Sequence, residues 1–178
     1  MQKTSASNYS PQAKFFHWLT LLLLAIQYAI GWLMPHVHRD TQPVGLIDLH
    51  LSFGALIVLL VVLRLAWRVA HPVPRVNASP LLRRIALATH GFLYVLLVAF
   101  PLMGWANASS RGWPVSLFGL IPLPALSPKG SSFGHTLGDL HQLTVWVLIA
   151  VVALHAIAAL YHHFILKDDT LKRMLPTR

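Results

Sequence analysis

Four stretches of this 178-residue chain are each long enough to cross a bilayer and carry no formal charge at their centres. Nothing else in the sequence constrains the fold as strongly, because roughly 20 apolar residues in helical conformation span the hydrocarbon core. The stretches are Phe15 to Met34, about Leu46 to Trp67 (uncharged centre Leu49 to Leu63), Ile85 to Ala106, and Leu140 to Leu166. None alternates as a strand would, so each is predicted as a helix. The fourth is long enough to tilt or protrude. The expected architecture is an all-α integral membrane protein, a four-transmembrane-helix bundle forming one membrane domain over residues 1–178. Charged residues make up 11% of the chain, against about 25% in soluble domains, so an ordinary soluble domain is excluded. A disordered chain is excluded by the 56% of hydrophobic residues. The first stretch is followed by the bulky run Gly31-Trp32-Leu33-Met34-Pro35, with no small-residue cleavage site. It reads as a retained span, not a signal peptide.

Charge predicts the orientation. With four spans both termini share a side, and that side holds Lys3, Lys14, Arg64, Arg68, Arg75, Arg83, Arg84, Lys167, Lys172, Arg173 and Arg178. Arg39, Arg111 and Lys129 lie on the other side. The positive-inside rule then puts both termini in the cytoplasm. The net charge of +9 is absorbed by topology and calls for no nucleic-acid partner. The longest outside segment, Asn107 to Asp139, is rich in proline and glycine, which argue against a regular helix there. Its apolar part, Val115 to Leu123, suits the membrane interface. There is no cysteine, so thiolate chemistry, iron–sulfur clusters and covalent c-type haem attachment are excluded.

The chemistry lies in the histidines. An ionisable residue inside a span is costly and tends to face the bundle interior with a partner. His141 and His155 are 14 residues apart in the fourth span, which puts them on one face, within about 40° and separated by about 21 Å along the axis. His50, at the outer start of the second span, shares the depth of His141. His17, at the inner start of the first, shares that of His155. Two trans-helix imidazole pairs stacked along a bundle suit two bis-histidine haems. On these residues alone a zinc site and a proton path also stay open, although no acid sits at the centre of any span. Arg64, 14 residues after His50, falls at the inner depth. It either meets an anionic group such as a haem propionate or snorkels to the headgroups. Gly54 either makes room for a porphyrin edge or allows close helix packing. His90 reads as an interhelical hydrogen bonder at the inner depth. His162 reads as a proton-exchanging group or an interfacial anchor. His36, His38, His71 and His135 are expected in solvated loops.

These features resemble the bacterial cytochrome b-561 family of four-helix dihaem membrane proteins, and look particularly like its superoxide oxidase members. The resemblance rests on Phe16-His17-Trp18-Leu19, on Leu49-His50 with Val62-Leu63-Arg64-Leu65, and on His90 with Leu96 to Gly104. It rests also on Arg111-Gly112, the run from His141 through His155 to His162-His163, and the tail Lys167-Asp168-Asp169-Thr170-Leu171-Lys172-Arg173-Met174-Leu175-Pro176. It covers nearly the whole chain and departs in Pro35 to Ile47 and Val73 to Leu82. It implies haem ligands at His17, His50, His141 and His155, two b-type haems, and an oxidoreductase passing electrons from superoxide outside to ubiquinone in the membrane. Arg111 is the expected steering residue for the anion, His162 the expected proton donor, and Arg64 a cofactor-binding residue. Trp105 and Trp113 read as interfacial belt residues, not electron relays. The alternative is a haem-bearing membrane anchor serving a soluble redox partner, a dehydrogenase or hydrogenase, with the same ligands.

Overall fold

The computed structural model describes residues 8–38, 40–71 and 79–175. Lys3, Arg39, Arg75, Pro176, Arg178 and most of the divergent stretch Val73 to Leu82 lie outside them. The chain forms α1 (Pro11–Leu33), α2 (Leu46–Ala70), α3 (Pro80–Ser110), a two-residue-per-strand hairpin of β1 (Ser116–Leu117) and β2 (Ile121–Pro122), α4 (Ser132–Phe164) and a short 3₁₀ turn (Lys172–Met174). All four helices are long and apolar enough to cross a membrane, with mean hydropathies of 1.5, 2.5, 2.0 and 2.5 in chain order.

Capping extends three of the helices beyond the apolar runs. Ser10, Ser79 and Ser131 each accept a hydrogen bond from an amide three residues on, and proline follows the first two at N1. α1 therefore starts at Pro11 and α3 at Pro80, whereas the apolar pattern suggested 15 and 85. α2 opens at Gly45, whose φ of 61° is a left-handed conformation that suits glycine. Asp48 in its first turn and Arg68 in its last complement the helix dipole.

The outside segment departs from expectation. It is not irregular throughout: α3 runs on to Ser110, and α4 begins at Ser132, well before Leu140. Gly134 and Gly138 do not break this helix. They let it lie against α3, since a Cβ at Gly134 would meet Ser110 and the Ala106 carbonyl, and one at Gly138 would meet Asn107. His135 consequently sits on the first turn of α4 and not in a loop.

Consecutive helices pack as antiparallel neighbours around Leu23, Ile57, Leu60, Val61, Leu96, Leu97, Phe100 and Leu148. Large apolar side chains otherwise cover the outside, such as Leu154, Ile157 and Phe164 of α4. That is the inside-out surface of a protein solvated by lipid. Among the described residues α1 and α4 make little direct contact. Tyr28 of α1 donates its hydroxyl to the Val145 carbonyl of α4, and the Trp18 indole ties α1 to the tail through the Met174 carbonyl.

Candidate functional site

The outer pair is built by α2 and α4. The rings of His50 and His141 stand 6.1 Å apart between centroids. His141 Nδ1 lies 2.8 Å from the Phe100 carbonyl. A carbonyl only accepts, so Nδ1 carries the proton and Nε2 keeps its lone pair, the tautomer of a metal-ligating imidazole. Phe100 precedes Pro101, in the turn where the α3 ladder loses an amide. His50 Nδ1 is buried with no hydrogen-bond partner. Glycines flank both rings: a Cβ would come within 3.5 Å of His50 at Gly31 and 3.3 Å of His141 at Gly104. Beside the pair, between α1 and α4, opens a cavity of about 420 Å³ that includes Gln27, Tyr28, Gly31, Trp32 and Trp146 in its lining. That volume falls in the usual range of cofactor pockets, roughly 300–1,000 Å³.

The inner pair is built by α1 and α4, with His17 and His155 at 6.3 Å between centroids. Arg64 turns inward, and not to the headgroups: its Nη2 lies 3.1 Å from His17 Nδ1, and its guanidinium sits over Tyr94 at 5.4 Å. Arg68 shares the same ring at 5.9 Å. His90 is 5.3 Å from His155, with its Nδ1–H donated to the Ala86 carbonyl at 2.6 Å.

The separations are informative. Imidazole nitrogens bind a metal at about 2.0–2.1 Å. Two imidazoles that shared one metal from opposite sides would therefore stand roughly 6 Å apart between centroids. Both cross-helix pairs have that spacing, whereas His90 and His155 are too close for it. At the outer pair the donor chemistry also fits, with one ring in the ligating tautomer and the other unpartnered. At the inner pair a guanidinium, which only donates, occupies His17 Nδ1. Ligation through Nε2 there requires Arg64 to release the ring and find another anion or acceptor. Among the described residues no three His, Asp or Glu side chains converge on one point, so a zinc site with three or four protein ligands has no candidate.

The other expected residues fall in two regions. Arg111 caps α3, donates from Nη1 to the His38 carbonyl at 3.1 Å and stacks over Trp113 at 5.3 Å. It lines a smaller outer cavity of about 100 Å³ together with His50 and His141. The Lys129 stem lies across Gly112 beside it. At the inner end His162 Nδ1 bonds Asp168, whose other oxygen accepts the Thr170 amide at 2.8 Å. Burial alone would raise the Asp168 carboxyl, but the His162 and Thr170 hydrogen bonds outweigh it and hold the group below its ordinary value. A Cβ at Gly54 would meet the Gln27 amide at 3.4 Å, so Gly54 serves the packing of α2 on α1. Trp105 donates to the Pro124 carbonyl. His36 lies on the rim of the larger cavity, His38 offers its carbonyl to Arg111, and His71 stacks on Trp67 at 3.8 Å.

Two features escaped the sequence reading. Gln27 donates to the His50 carbonyl at 3.0 Å, and its amide oxygen is buried without a partner. An uncharged amide deep in an apolar span was the available signal. Gly31 lies 14 residues after His17, the same interval that separates His141 and His155.

The comparisons with known proteins agree along the whole length. The family described as prokaryotic cytochrome b561 matches residues 8–177. "Cytochrome b561 homolog 2" of Escherichia coli (strain K12) is 36% identical over 163 residues, covering 90% of this chain and 87% of the relative. "Probable superoxide oxidase CybB" of Yersinia pestis is 35% identical over 164 residues, covering 91% and 92%. "Cytochrome b561 homolog 1" of Escherichia coli (strain K12) is 30% identical over 175 residues, covering 97% and 99%. With four membrane-spanning helices and a match that runs nearly end to end, the chain belongs to the prokaryotic cytochrome b561 family, membrane electron-transfer proteins of the b-haem type.

Proposed function

We propose that this protein is a dihaem superoxide:ubiquinone oxidoreductase of the bacterial inner membrane, with both termini cytoplasmic. The observation that carries the reading is the pair of cross-helix imidazole contacts, 6.1 and 6.3 Å between centroids, at two depths of one bundle. The name of the Yersinia pestis relative supports superoxide as donor. His50 with His141, and His17 with His155, would hold the two haems, which supply one-electron transfer between donor and acceptor.

The chain's own residues divide the remaining work. Arg111, the charged side chain in the lining of the outer cavity beside the outer pair, attracts a small anion there. Phe100 fixes the His141 ring and its tautomer. Arg64, released from His17, neutralises a propionate-type anion at the inner level. His162, oriented by Asp168, gives a proton at the inner end. The reaction balances: two superoxide anions become two dioxygen molecules, and ubiquinone takes two electrons and two protons to become ubiquinol.

Stopped-flow mixing of the oxidised, purified protein with superoxide tests this reading. The haem bands should reduce within the mixing experiment and reoxidise when a ubiquinone analogue is present. A protein that stays oxidised until a soluble dehydrogenase or hydrogenase is added is instead a membrane anchor for that partner.

A further inference from the structure

The hairpin between α3 and α4 is a puzzle in water. Its large apolar side chains are exposed, Leu120 at 83%, Ile121 at 57% and Phe118 at 44%. From Gly112 to Pro128 there is no formal charge. The turn is costly as well. Phe118 and Gly119 have φ of 52° and 71°, and positive φ at both central residues is the type I′ pattern, which a bulky residue disfavours. A solvated turn would place asparagine or glycine there.

The hairpin's position explains the composition. It does not project from the bundle but folds down along α2. The Ser52 hydroxyl donates to the Ser116 carbonyl at 3.0 Å and accepts from the Phe118 amide at 3.2 Å, and Ser52 is completely buried by the contact. Phe118 meets Phe53 edge-on at 5.2 Å. Ser52 is six residues into α2, about 9 Å below its outer end. The tip thus lies beside the apolar, membrane-spanning part of that helix.

Non-helical backbone survives at that depth only if its polar groups are satisfied internally. Here they are. The Gly119 amide bonds the Ser116 hydroxyl, and Leu120 bonds the Leu117 carbonyl. Leu123 bonds the Val115 carbonyl, while Pro114, Pro122 and Pro124 have no amide hydrogen to satisfy.

We infer that residues 116–123 form a re-entrant hairpin whose tip, Phe118 to Ile121, is immersed in the outer-leaflet lipid. Val115, just before the hairpin, lines the outer cavity with Ile47, Leu51 and Ala55. This inference stands on the membrane fold and does not depend on the donor or acceptor.

The chain has no cysteine, so single cysteines can report depth without background. Leu120→Cys and Ile121→Cys would carry a nitroxide in phosphatidylcholine proteoliposomes, with Lys129→Cys as the reference outside the hairpin. Collision with oxygen and with a water-soluble nickel chelate is then measured by electron paramagnetic resonance. At both hairpin sites the ratio of oxygen to nickel accessibility should exceed the reference several-fold. Nickel access equal to that at position 129 would place the tip in water and overturn the inference. Dipolar broadening between labels would also overturn it, since a second copy and not lipid would then cover the tip. Unchanged helical circular dichroism shows that the labelled protein is folded.

Discussion

At the scale of single residues, the histidines were legible because the membrane makes them expensive: a polar ring kept at depth signals a partner, and helical spacing indicates which rings share a level. Partners on neighbouring helices were less legible. Arg64 had two equally sound destinations from sequence, and only its place opposite His17 decides for the interior. Gln27 has no partner within its own helix, so its bond to the His50 carbonyl depends on how α1 meets α2. If the proposed ligation holds, His50→Ala or His141→Ala should lower haem content from two per chain to one by pyridine haemochrome assay. His90→Ala should keep both, since its ring stands closer to His155 than two imidazoles facing each other across one metal would. Gly104→Val should lower haem content at the outer level by crowding the His141 ring, which already lies within 3.3 Å of a Cβ built there. The Asp168 carboxyl is held below its ordinary value, so its contribution to stability is present above that value and fades as pH falls through the lowered one. Wild type and Asp168→Asn should therefore differ in thermal stability near neutral pH and converge in strong acid, below the 3.8 of a free carboxyl.

At the scale of elements, hydropathy located every span but misjudged where three of them begin. Ser-Pro at the starts of α1 and α3 pulls those helices outward past the apolar run. The early start of α4 was hidden for a more instructive reason. Glycine counts against a helix in isolation, yet Gly134 and Gly138 are where α4 presses closest to α3. Tertiary packing thus overrides the local propensity. Gly138→Leu should push the two helices apart and cost about 1–3 kcal/mol, as overpacked contacts do. A lowered melting temperature in detergent would register it, together with loss of the His141–Phe100 bond that depends on the same crossing.

At the scale of the whole molecule, a four-span membrane protein was readable because the bilayer dictates element length, and family membership followed from motifs spread over the entire chain. The order of packing and the opening between α1 and α4 were not readable, since an apolar face does not reveal whether lipid or protein meets it. Orientation is testable with the same cysteine-free background. A cysteine at position 129 should react with an impermeant maleimide on intact cells, and one at position 172 only after permeabilisation. One further consequence concerns how such a protein is made. Each of the two histidine pairs draws one member from the first half of the chain and the other from α4. Neither seat exists while the ribosome is still delivering the third span. If these pairs are the haem seats, cofactor loading must await insertion of the last helix, and a nascent chain stalled before it would emerge into the membrane colourless.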